Sequence, residues 1–222
     1  DFQAFDVVKT TEGAKFHVRA NGKDLGEFTI HLFGDHNVMN ATAVIAIAFT
    51  EGIDLDVVRK GLVKYTGAKR RFSEKDFGDT VVIDDYAHHP TELRATIQAA
   101  RQKFPDRKLV TIFQPHTYSR TKEFEEEYVE ILKGVDKAFL TPIYGSAREA
   151  AGDIKSEDIT SQIPGAEVID FDNLKDLLAY KGDCIVFMGA GDIPKYEVAF
   201  EEMLAKSDSS RQAVDQVSGL FL

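Results

Sequence analysis

The sequence predicts an α/β fold in which helices cover a mostly parallel sheet, and two features support this. Beyond about residue 80, short apolar runs rich in β-branched residues alternate with segments of helical periodicity. The apolar runs are nearly continuous, which is typical of strands buried on both faces. The predicted strands are residues 80–84, 108–113, 137–140, 167–169 and 183–188, and the predicted helices are residues 90–103, 121–133, 156–162, 173–179 and 194–204.

The N-terminal third has a different pattern. Residues 1–33 alternate polar and apolar side chains between glycine turns, which predicts a small antiparallel β region, and Asn21-Gly22 is a strong hairpin signal. A long apolar run then predicts a buried helix from about residue 36 to 51, stopped by Gly52. A second helix is predicted for residues 53–64.

The change of pattern predicts a domain junction near residues 67–72. We therefore divide the sequence into residues 1–70, residues 71–206 and a tail, residues 207–222. The tail is polar at first and then apolar, so we expect either a disordered end or a docking segment. Cys184 lies in an apolar strand pattern, which predicts a buried, reduced thiol.

Composition argues against several classes of function. With 43% hydrophobic and 29% charged residues, the 222-residue chain has enough apolar material for a packed core. Its net charge of −10 argues against general affinity for nucleic acid or an anionic membrane. The sequence has no run of about 18 apolar residues, and its first ten residues lack the features of a signal peptide. We expect a cytoplasmic protein with neither a nucleic-acid nor a membrane partner.

The densest group of chemically active side chains is DDYAHHPTE, residues 84–92. It follows an apolar strand and precedes a helix that begins at Pro90. Proline suits this position because N–H groups in the first turn have no acceptor within the helix, so its missing N–H costs no hydrogen bond. In such folds ligands bind at the carboxyl ends of the strands, and a helix N-terminus favours an anion. We interpret the segment as part of a binding site, and a solvated loop with a capping role is the alternative.

A second segment, FQPHTYSR at residues 113–120, follows the next predicted strand. Its Arg120 could bind a carboxylate or phosphate through two parallel hydrogen bonds, next to His116 and Tyr118. A surface loop with a nearby hydroxyl as helix cap explains the same residues. Taken alone, the segment does not decide between these interpretations.

Three weaker segments complete the set. GAKRRF, residues 67–72, has two adjacent arginines that either reach a phosphate or stay solvated. GDHNVMN, residues 34–40, places Asn37 and Asn40 on one helix face, where amides suit the edge of a purine, although helix capping is a strong alternative. MGAGDIPK, residues 188–195, allows close approach of the backbone to a ligand. The sequence contains no P-loop, G-x-S-x-G, H-E-x-x-H or pair of cysteines.

In this order, GDHNVMNATA, GAKRRF, DDYAHHPTE, FQPHTYSRT and MGAGDI resemble the Mur ligases, ATP-dependent enzymes that join an amino acid to a carboxylate. The resemblance runs from about residue 28 to 204, and DDYAHHPTE with QPHTYSR is its most specific part. It implies a Rossmann-like domain with a mostly parallel sheet, preceded by the C-terminal part of a central ATPase domain. Such enzymes also have a UDP-sugar domain and a P-loop, so the resemblance implies a fragment that is inactive alone.

The resemblance implies a set of residues that bind the nucleotide. Asn37 and Asn40 would contact the edge of adenine, with His36 beside them. Arg71 would reach the ATP phosphates, and Asp85 would contact the ribose. The implied cofactors are ATP and Mg²⁺, with the magnesium ligands expected mainly in a part of such enzymes that this chain lacks.

A second set would bind the substrates, L-alanine and UDP-N-acetylmuramate. Tyr86, His88, His116 and Arg120 would position L-alanine and the muramyl carboxylate, with His88 and Arg120 as catalytic residues. Many relatives have Arg where this chain has Thr117, so Arg120 would carry more of the cationic role. In the implied reaction the carboxylate attacks the γ-phosphate of ATP, and the amine of L-alanine then displaces phosphate from the acyl phosphate.

Two other functions fit the residues without the resemblance. A metal-dependent phosphoesterase would use Asp and His side chains as ligands, namely Asp35, His36, Asp84, Asp85, His88 and His89. It predicts tight binding of manganese or zinc by this chain. A non-catalytic nucleotide-binding module predicts micromolar binding of ATP without a P-loop.

Overall fold

Contacts within the computed structural model divide the chain into two compact units. Unit 1 comprises residues 1–69 and 94–106, and unit 2 comprises residues 70–93 and the chain from residue 107 onward. The structure describes residues 1–218, with side chains described as far as Ser207. The last four residues of the predicted tail, 219–222, lie outside the described residues.

Unit 1 begins with a three-stranded antiparallel sheet of order β1-β2-β3. Its strands are β1 (Phe2–Thr10), β2 (Gly13–Ala20) and β3 (Lys23–Ile30). Asn21 and Gly22 join β2 to β3 with φ angles of 47° and 87°, the pair of positive values that a type I′ hairpin turn requires. The predicted hairpin is therefore confirmed at the predicted residues.

Two helices pack against this sheet. They are α1 (Asp35–Thr50) and α2 (Leu55–Lys64), which correspond to the two helices predicted for this region. Gly52, with a φ of 70°, follows α1 as predicted, and Asp54 caps α2 by accepting the N–H of Asp56 at 2.9 Å. The apolar residues that face inward form one buried cluster: Ala14, Phe16, Val18, Phe28, Ile30, Val38, Ala41 and Ile45.

Unit 2 contains a six-stranded sheet of order β4-β5-β9-β6-β7-β8. The strands are β4 (Ser73–Phe77), β5 (Thr80–Asp85), β6 (Leu109–Phe113), β7 (Lys137–Leu140), β8 (Glu167–Val168) and β9 (Cys184–Met188). All neighbours are parallel except β4 and β5, which are antiparallel. Every residue of β5, β6 and β9 is buried, which explains their nearly continuous apolar sequences. The predicted mostly parallel sheet is confirmed.

Helices make the connections of this sheet. They are α3 (Pro90–Lys103), α4 (Tyr118–Glu123), α5 (Glu125–Leu132), α6 (Ser156–Thr160), a 3-10 helix (Phe171–Tyr180) and α7 (Ile193–Ser218). The prediction of one helix over residues 121–133 is wrong, because the chain leaves helical geometry at Phe124, with φ −108° and ψ 17°. The ring of Phe124 packs on that of His89, with centroids 4.7 Å apart. α7 continues past residue 204 into the predicted tail.

Strand β4 was not predicted from the sequence. Its residues, SEKDF, carry three charges and are half-buried or exposed, so they lack the apolar run that marks the other strands. Among the described residues, the strand lies at the edge of the sheet and pairs with β5 alone. Charged side chains are typical of edge strands, where they oppose pairing with another chain.

Two expectations from composition concern burial and membranes. The thiol of Cys184 is buried, at 1% exposure, and forms no disulfide, as predicted. Within residues 1–218, no helix is both long enough and apolar enough to cross a membrane.

Candidate active site

Three loops of unit 2 meet at the carboxyl edge of its parallel sheet. Asp85 of β5 and Phe113 of β6 both pair with Met188 of β9, so the three strands end at the same level. The loops that follow carry the DDYAHHPTE, QPHTYSR and MGAGDI segments. The parallel register therefore brings together the three segments that the sequence places far apart.

Asp85 ties the loop after β5 to two other segments. Its Oδ2 accepts the backbone N–H of Phe72 at 2.7 Å, and its Oδ1 accepts that of Ala87 at 2.8 Å. The backbone N–H of Gly189 donates to the carbonyl oxygen of Asp85 at 3.1 Å. Asp85 is 7% exposed, and its carboxylate has a structural function in this loop. Its contact with a ribose stays a prediction.

The two adjacent arginines have different surroundings. Arg70 donates from Nε to Oδ2 of Asp84 at 3.2 Å and from Nη2 to the carbonyl of Gly189 at 2.8 Å. Burial raises the pKa of Asp84, and the guanidinium of Arg70 opposes that shift. The guanidinium carbons of Arg70 and Arg71 lie 4.9 and 5.6 Å from the ring centroid of Tyr86. Arg70 thus links β5 to the loop after β9, whereas the side chain of Arg71 is exposed.

His88 is held by hydrogen bonds on its ring and its backbone. Its Nδ1 lies 3.0 Å from the carbonyl oxygen of Tyr86 and 3.2 Å from Oε2 of Glu92. The same Glu92 oxygen accepts the backbone N–H groups of His88 and His89 at 3.0 and 3.2 Å. The hydroxyl of Tyr128 donates to the carbonyl of His88 at 2.8 Å. Burial raises the pKa of Glu92, but the two N–H bonds and the nearby His88 outweigh burial and hold it below its usual value.

His116 and Arg120 lie together beyond the end of β6. Nη1 of Arg120 is 3.4 Å from Nδ1 of His116. The ring of Tyr144 stacks on His116 with centroids 5.8 Å apart and planes 13° apart, and the ring of His88 lies edge-on to His116 at 6.1 Å. Burial, followed by Arg120 and His88, lowers the pKa of His116. This shift favours the neutral form of the His116 imidazole.

Thr117 precedes the first turn of α4. Its φ of 67° is rare for a β-branched residue, and its N–H donates to the carbonyl of Tyr144 at 2.9 Å. The first turn of α4 is capped by Glu149, whose two oxygens accept the N–H groups of Tyr118 and Ser119, both at 2.8 Å. Hydrogen bonds from Ser119 lower the pKa of Glu149. The alternative of a cap by a neighbouring hydroxyl is therefore wrong.

Glycine after β9 permits close packing against two side chains that sequence reasoning missed. Gln114 donates from Nε2 to Oδ1 of Asp192 at 2.8 Å, and its Oε1 accepts the N–H of Ile193 at 3.0 Å. A Cβ on Gly191 would lie 2.5 Å from Oε1 of Gln114 and 2.5 Å from Cγ of Tyr144. Only glycine fits there. Gln114 belongs to a segment that was singled out, whereas nothing in the sequence marked Tyr144.

The candidate adenine contacts lie at the start of α1 in unit 1. His36 and Asn40 are exposed, and Asn37 is half-buried. The side-chain amide of Asn37 donates to the carbonyl of Phe33 at 2.7 Å, so a local structural function accounts for one of its hydrogen bonds. The adenine contact itself stays a prediction.

Ligand geometry bears on the phosphoesterase alternative. Among the described residues, no three His, Cys, Asp or Glu side chains lie where they could hold a metal ion together. The carboxylates of Asp84 and Asp85 are instead bound by Arg70 and by backbone N–H groups. The six residues of that alternative therefore form no metal centre in the described part of the chain.

The chain belongs to the Mur ligase family. Its residues 70–191 match the family model described as Mur ligase, glutamate ligase domain. The match contains DDYAHHPTE, QPHTYSR, the first four residues of MGAGDI and both arginines of GAKRRF.

Curated relatives share one description. The chain is 98% identical over 206 residues to a UDP-N-acetylmuramate–L-alanine ligase of Lactobacillus delbrueckii subsp. bulgaricus, covering 93% of this chain and 47% of that protein. It is 69% identical over 204 residues to the ligase of the same description from Lactobacillus helveticus, covering 92% and 47%. The chain spans about half the length of the curated relatives it matches.

Solved structures agree with the fold. The UDP-N-acetylmuramate-alanine ligase MurC of Thermotoga maritima superposes with a TM-score of 0.78 at 29% identity, covering 93% of this chain and 46% of that chain. The MurF ligase of the same organism, solved in complex with ADP, superposes with a TM-score of 0.71 at 19% identity, covering 93% and 47%, and supports the fold alone. The predicted α/β class and the resemblance to the Mur ligases are confirmed.

Proposed function

We propose that this chain is part of an ATP-dependent ligase that joins L-alanine to UDP-N-acetylmuramate in peptidoglycan synthesis. The observation that carries the proposal is the group of His88, His116 and Arg120 at the carboxyl edge of the sheet. This group combines a cation with two imidazoles, and these groups suit a carboxylate and an amine. The names of the curated relatives support the same substrates.

Within this function, one set of residues binds the two molecules that become joined, L-alanine and UDP-N-acetylmuramate. Tyr86, His88, His116 and Arg120 hold L-alanine and the muramyl carboxylate, with His88 and Arg120 in contact with the reacting groups. Arg120 binds a carboxylate through charge-assisted hydrogen bonds, which are about twice as strong as neutral ones. Thr117 offers no charge, so Arg120 is the main cation that this loop provides.

A second set of residues binds ATP. Exposed Arg71 contacts its phosphates, Asp85 its ribose, and Asn37 and Asn40, with His36 beside them, its adenine. The first step brings a carboxylate to a polyphosphate, so positive charge is needed to bring them together. Mg²⁺ would supply such charge, and its ligands are expected mainly in a part of such enzymes that this chain lacks.

The second step is the attack of the amine of L-alanine on the acyl phosphate, and it determines what the site must exclude. Water would compete as a nucleophile, so the residues around Arg120 must hold the amino acid while keeping water out. We assign residues 1–70 to the end of a central ATP-binding domain, residues 71–206 to the ligase domain and residues 207–222 to a tail. The protein is expected in the cytoplasm, where UDP-N-acetylmuramate is used, and this chain alone is expected to be inactive.

The proposal is tested with a full-length protein, made by placing this chain's residues in the matching region of the Lactobacillus delbrueckii relative. Phosphate release from ATP is expected only when UDP-N-acetylmuramate and L-alanine are both present. The isolated chain is expected to release none at a ligase-like rate, on the order of 1 per second. Phosphate release from a phosphoester, dependent on manganese or zinc and independent of L-alanine, would instead support the phosphoesterase alternative.

A further inference from the structure

Residues 70–72, which we call the RRF turn, have a backbone conformation that most side chains disfavour. Arg70 and Phe72 have φ angles of 56° and 55°, in the left-handed region that residues other than glycine rarely adopt. Arg71 lies between them. Such a conformation costs free energy, so it persists only where the surrounding structure imposes it. The partners that hold the RRF turn belong to unit 2.

Backbone hydrogen bonds hold both ends of the RRF turn. The N–H of Arg70 donates to Oγ of Ser73 at 2.8 Å, and the carbonyl of Arg70 accepts the N–H of Tyr86 at 2.9 Å. The N–H of Phe72 donates to Oδ2 of Asp85 at 2.7 Å. The turn is therefore attached both to the start of β4 and to the residues at the end of β5.

The side chain of Arg70 adds a link across the edge of the sheet. Its Nε donates to Oδ2 of Asp84 at 3.2 Å, and its Nη2 donates to the carbonyl of Gly189 at 2.8 Å. The side chain of Asp84 is only 8% exposed, and its Oδ1 has no hydrogen-bond partner among the described residues. A buried carboxylate is costly to leave without its cation, so this carboxylate holds Arg70 in place.

Arg71 occupies the middle of the turn, and its side chain is exposed. Its guanidinium carbon lies 5.6 Å from the ring centroid of Tyr86, and that of Arg70 lies 4.9 Å from the same centroid. Two guanidinium groups repel each other, so they stay near one ring only if the fold holds at least one of them. Arg70 is the one that the fold holds, and this leaves Arg71 to face the solvent.

We propose that Arg70 is a positioning residue for the nucleotide: by fixing the RRF turn, it presents the guanidinium of Arg71 to the phosphates of ATP. The inference rests on the proposed function, in which Arg71 contacts those phosphates. Arg70 itself touches no ligand. A cation on a turn that is already held loses less conformational freedom when it binds, and it stays aligned with the reacting phosphate.

The structural part is tested on the chain itself by hydrogen exchange. The N–H groups of Phe72 and Tyr86 report on the turn, because both donate within it. Arg70→Gly removes the side chain but permits the positive φ, so it isolates the contribution of the side chain. We expect both N–H groups to exchange at least about 10-fold faster, and that of Ile112 in β6 to stay within about 3-fold. Lys69→Gly, at the adjacent exposed lysine, is expected to leave all three within about 3-fold.

Unchanged exchange at Phe72 and Tyr86 in Arg70→Gly overturns the proposal. If Ile112 also exchanges faster, the whole unit is destabilised, and Arg70→Lys then decides. Lysine keeps the charge but lacks the planar fork that spans Asp84 and Gly189. The same selective increase is expected from it, and its absence overturns the proposal.

The functional part uses the full-length protein and the KM for ATP. Arg71→Ala is expected to raise this KM by at least about 10-fold, because a charge-assisted hydrogen bond is lost. Arg70→Gly is expected to raise it by at least about 5-fold, with the KM values for L-alanine and the UDP-sugar within about 3-fold. The double variant is expected to match Arg71→Ala within about 3-fold, because Arg70 acts through Arg71.

Two other patterns would show a merely structural role. Arg70→Gly could raise all three KM values together, or its effect could add to that of Arg71→Ala in the double variant. Either result overturns the proposal. If Arg71→Ala leaves the KM for ATP unchanged, the phosphate contact of the proposed function fails, and the positioning role with it. If Arg71→Ala raises that KM and Arg70→Gly does not, the phosphate contact stands and the positioning role alone is overturned.

Discussion

The two units differ in how completely each buries its apolar residues. In unit 2 every residue of β5, β6 and β9 is buried. In unit 1 the helix α1 leaves Met39 71%, Val44 50% and Ile47 65% exposed. A helix that is apolar on all sides is normally buried on all sides, and exposed apolar patches are typical of surfaces that another part of a protein covers. The central strands of unit 2 are therefore fully buried, whereas helix α1 of unit 1 has buried apolar side chains on one side and exposed ones on the other.

The candidate residues follow the same division. Those of unit 2 are held by partners on several elements, as His88 is held by Glu92 and Tyr128. Those of unit 1 lie within two turns of one helix, and His36 and Asn40 are exposed. The site in unit 2 is thus organised before any ligand binds, which lowers the cost of binding. The predictions that follow test this contrast, from the largest expected effect to the smallest.

Substitution of one isoleucine in each unit tests the difference in burial between the units. Ile112 in β6 is fully buried, so Ile112→Ala is expected to lower the free energy of unfolding by about 2–5 kcal/mol. Ile47→Ala, on the exposed side of α1, is expected to change it by no more than about 0.5 kcal/mol. Thermal unfolding followed by circular dichroism measures both. Equal effects would contradict the contrast between the units.

The second pair compares binding residues in the full-length protein. Arg120→Ala is expected to cost about 1.5–3 kcal/mol, because it removes a charge-assisted pair, and to raise the KM for L-alanine or the UDP-sugar rather than that for ATP. Asn40→Ala removes a neutral hydrogen bond, so it is expected to cost about 0.5–1.5 kcal/mol of binding free energy for ATP and to raise the KM for ATP accordingly. Steady-state kinetics with each substrate varied decides it. An unchanged KM for both acid substrates in Arg120→Ala would reject that assignment.

A buried carboxyl of unit 2 predicts a dependence of stability on pH. Burial raises the pKa of Glu197 to about 7, against the opposing hydrogen bond from Lys75, while Glu201 and Asp84 reinforce the rise. Below pH 4.5 the group is neutral in both states, and above that value it ionises more readily when unfolded. Its contribution to stability is thus lost as the pH rises from about 4.5 to about 7.

The measurement is the melting temperature from pH 5 to pH 8, compared with that of Glu197→Gln. Gln can still accept from Lys75 but does not titrate. The difference between the two proteins is therefore expected to grow in favour of the variant as the pH rises. Parallel curves would contradict the prediction.

The smallest effect concerns the exposed face of α1. Ile47→Gln replaces an apolar side chain that is 65% exposed, so little change in stability is expected. Self-association of the isolated chain is expected to decrease, because the apolar patch becomes smaller. Sedimentation measurements over a range of concentrations check this, with Lys60→Gln on α2 as a control. If Ile47→Gln associates as strongly as the unsubstituted chain, the exposed face of α1 does not mediate self-association.

The sequence by itself determined the elements whose physical cause is local. Asn21-Gly22 specifies its turn because few residue pairs tolerate two positive φ angles. The strands β5, β6 and β9 are evident because burial on both faces requires a continuous apolar run. Their parallel arrangement then places DDYAHHPTE and QPHTYSR at one edge, so the region of the candidate site could be predicted, as could the family.

Only the tertiary structure decided which side chains hold that site together. Arg70 reaches the carbonyl of Gly189, 119 residues away, and Glu149 caps α4 from 31 residues beyond Tyr118. Tyr144 stacks on His116 because a parallel bridge joins their backbones. Contacts of this kind leave no periodic or compositional pattern in the sequence, because they depend on where distant segments meet after folding.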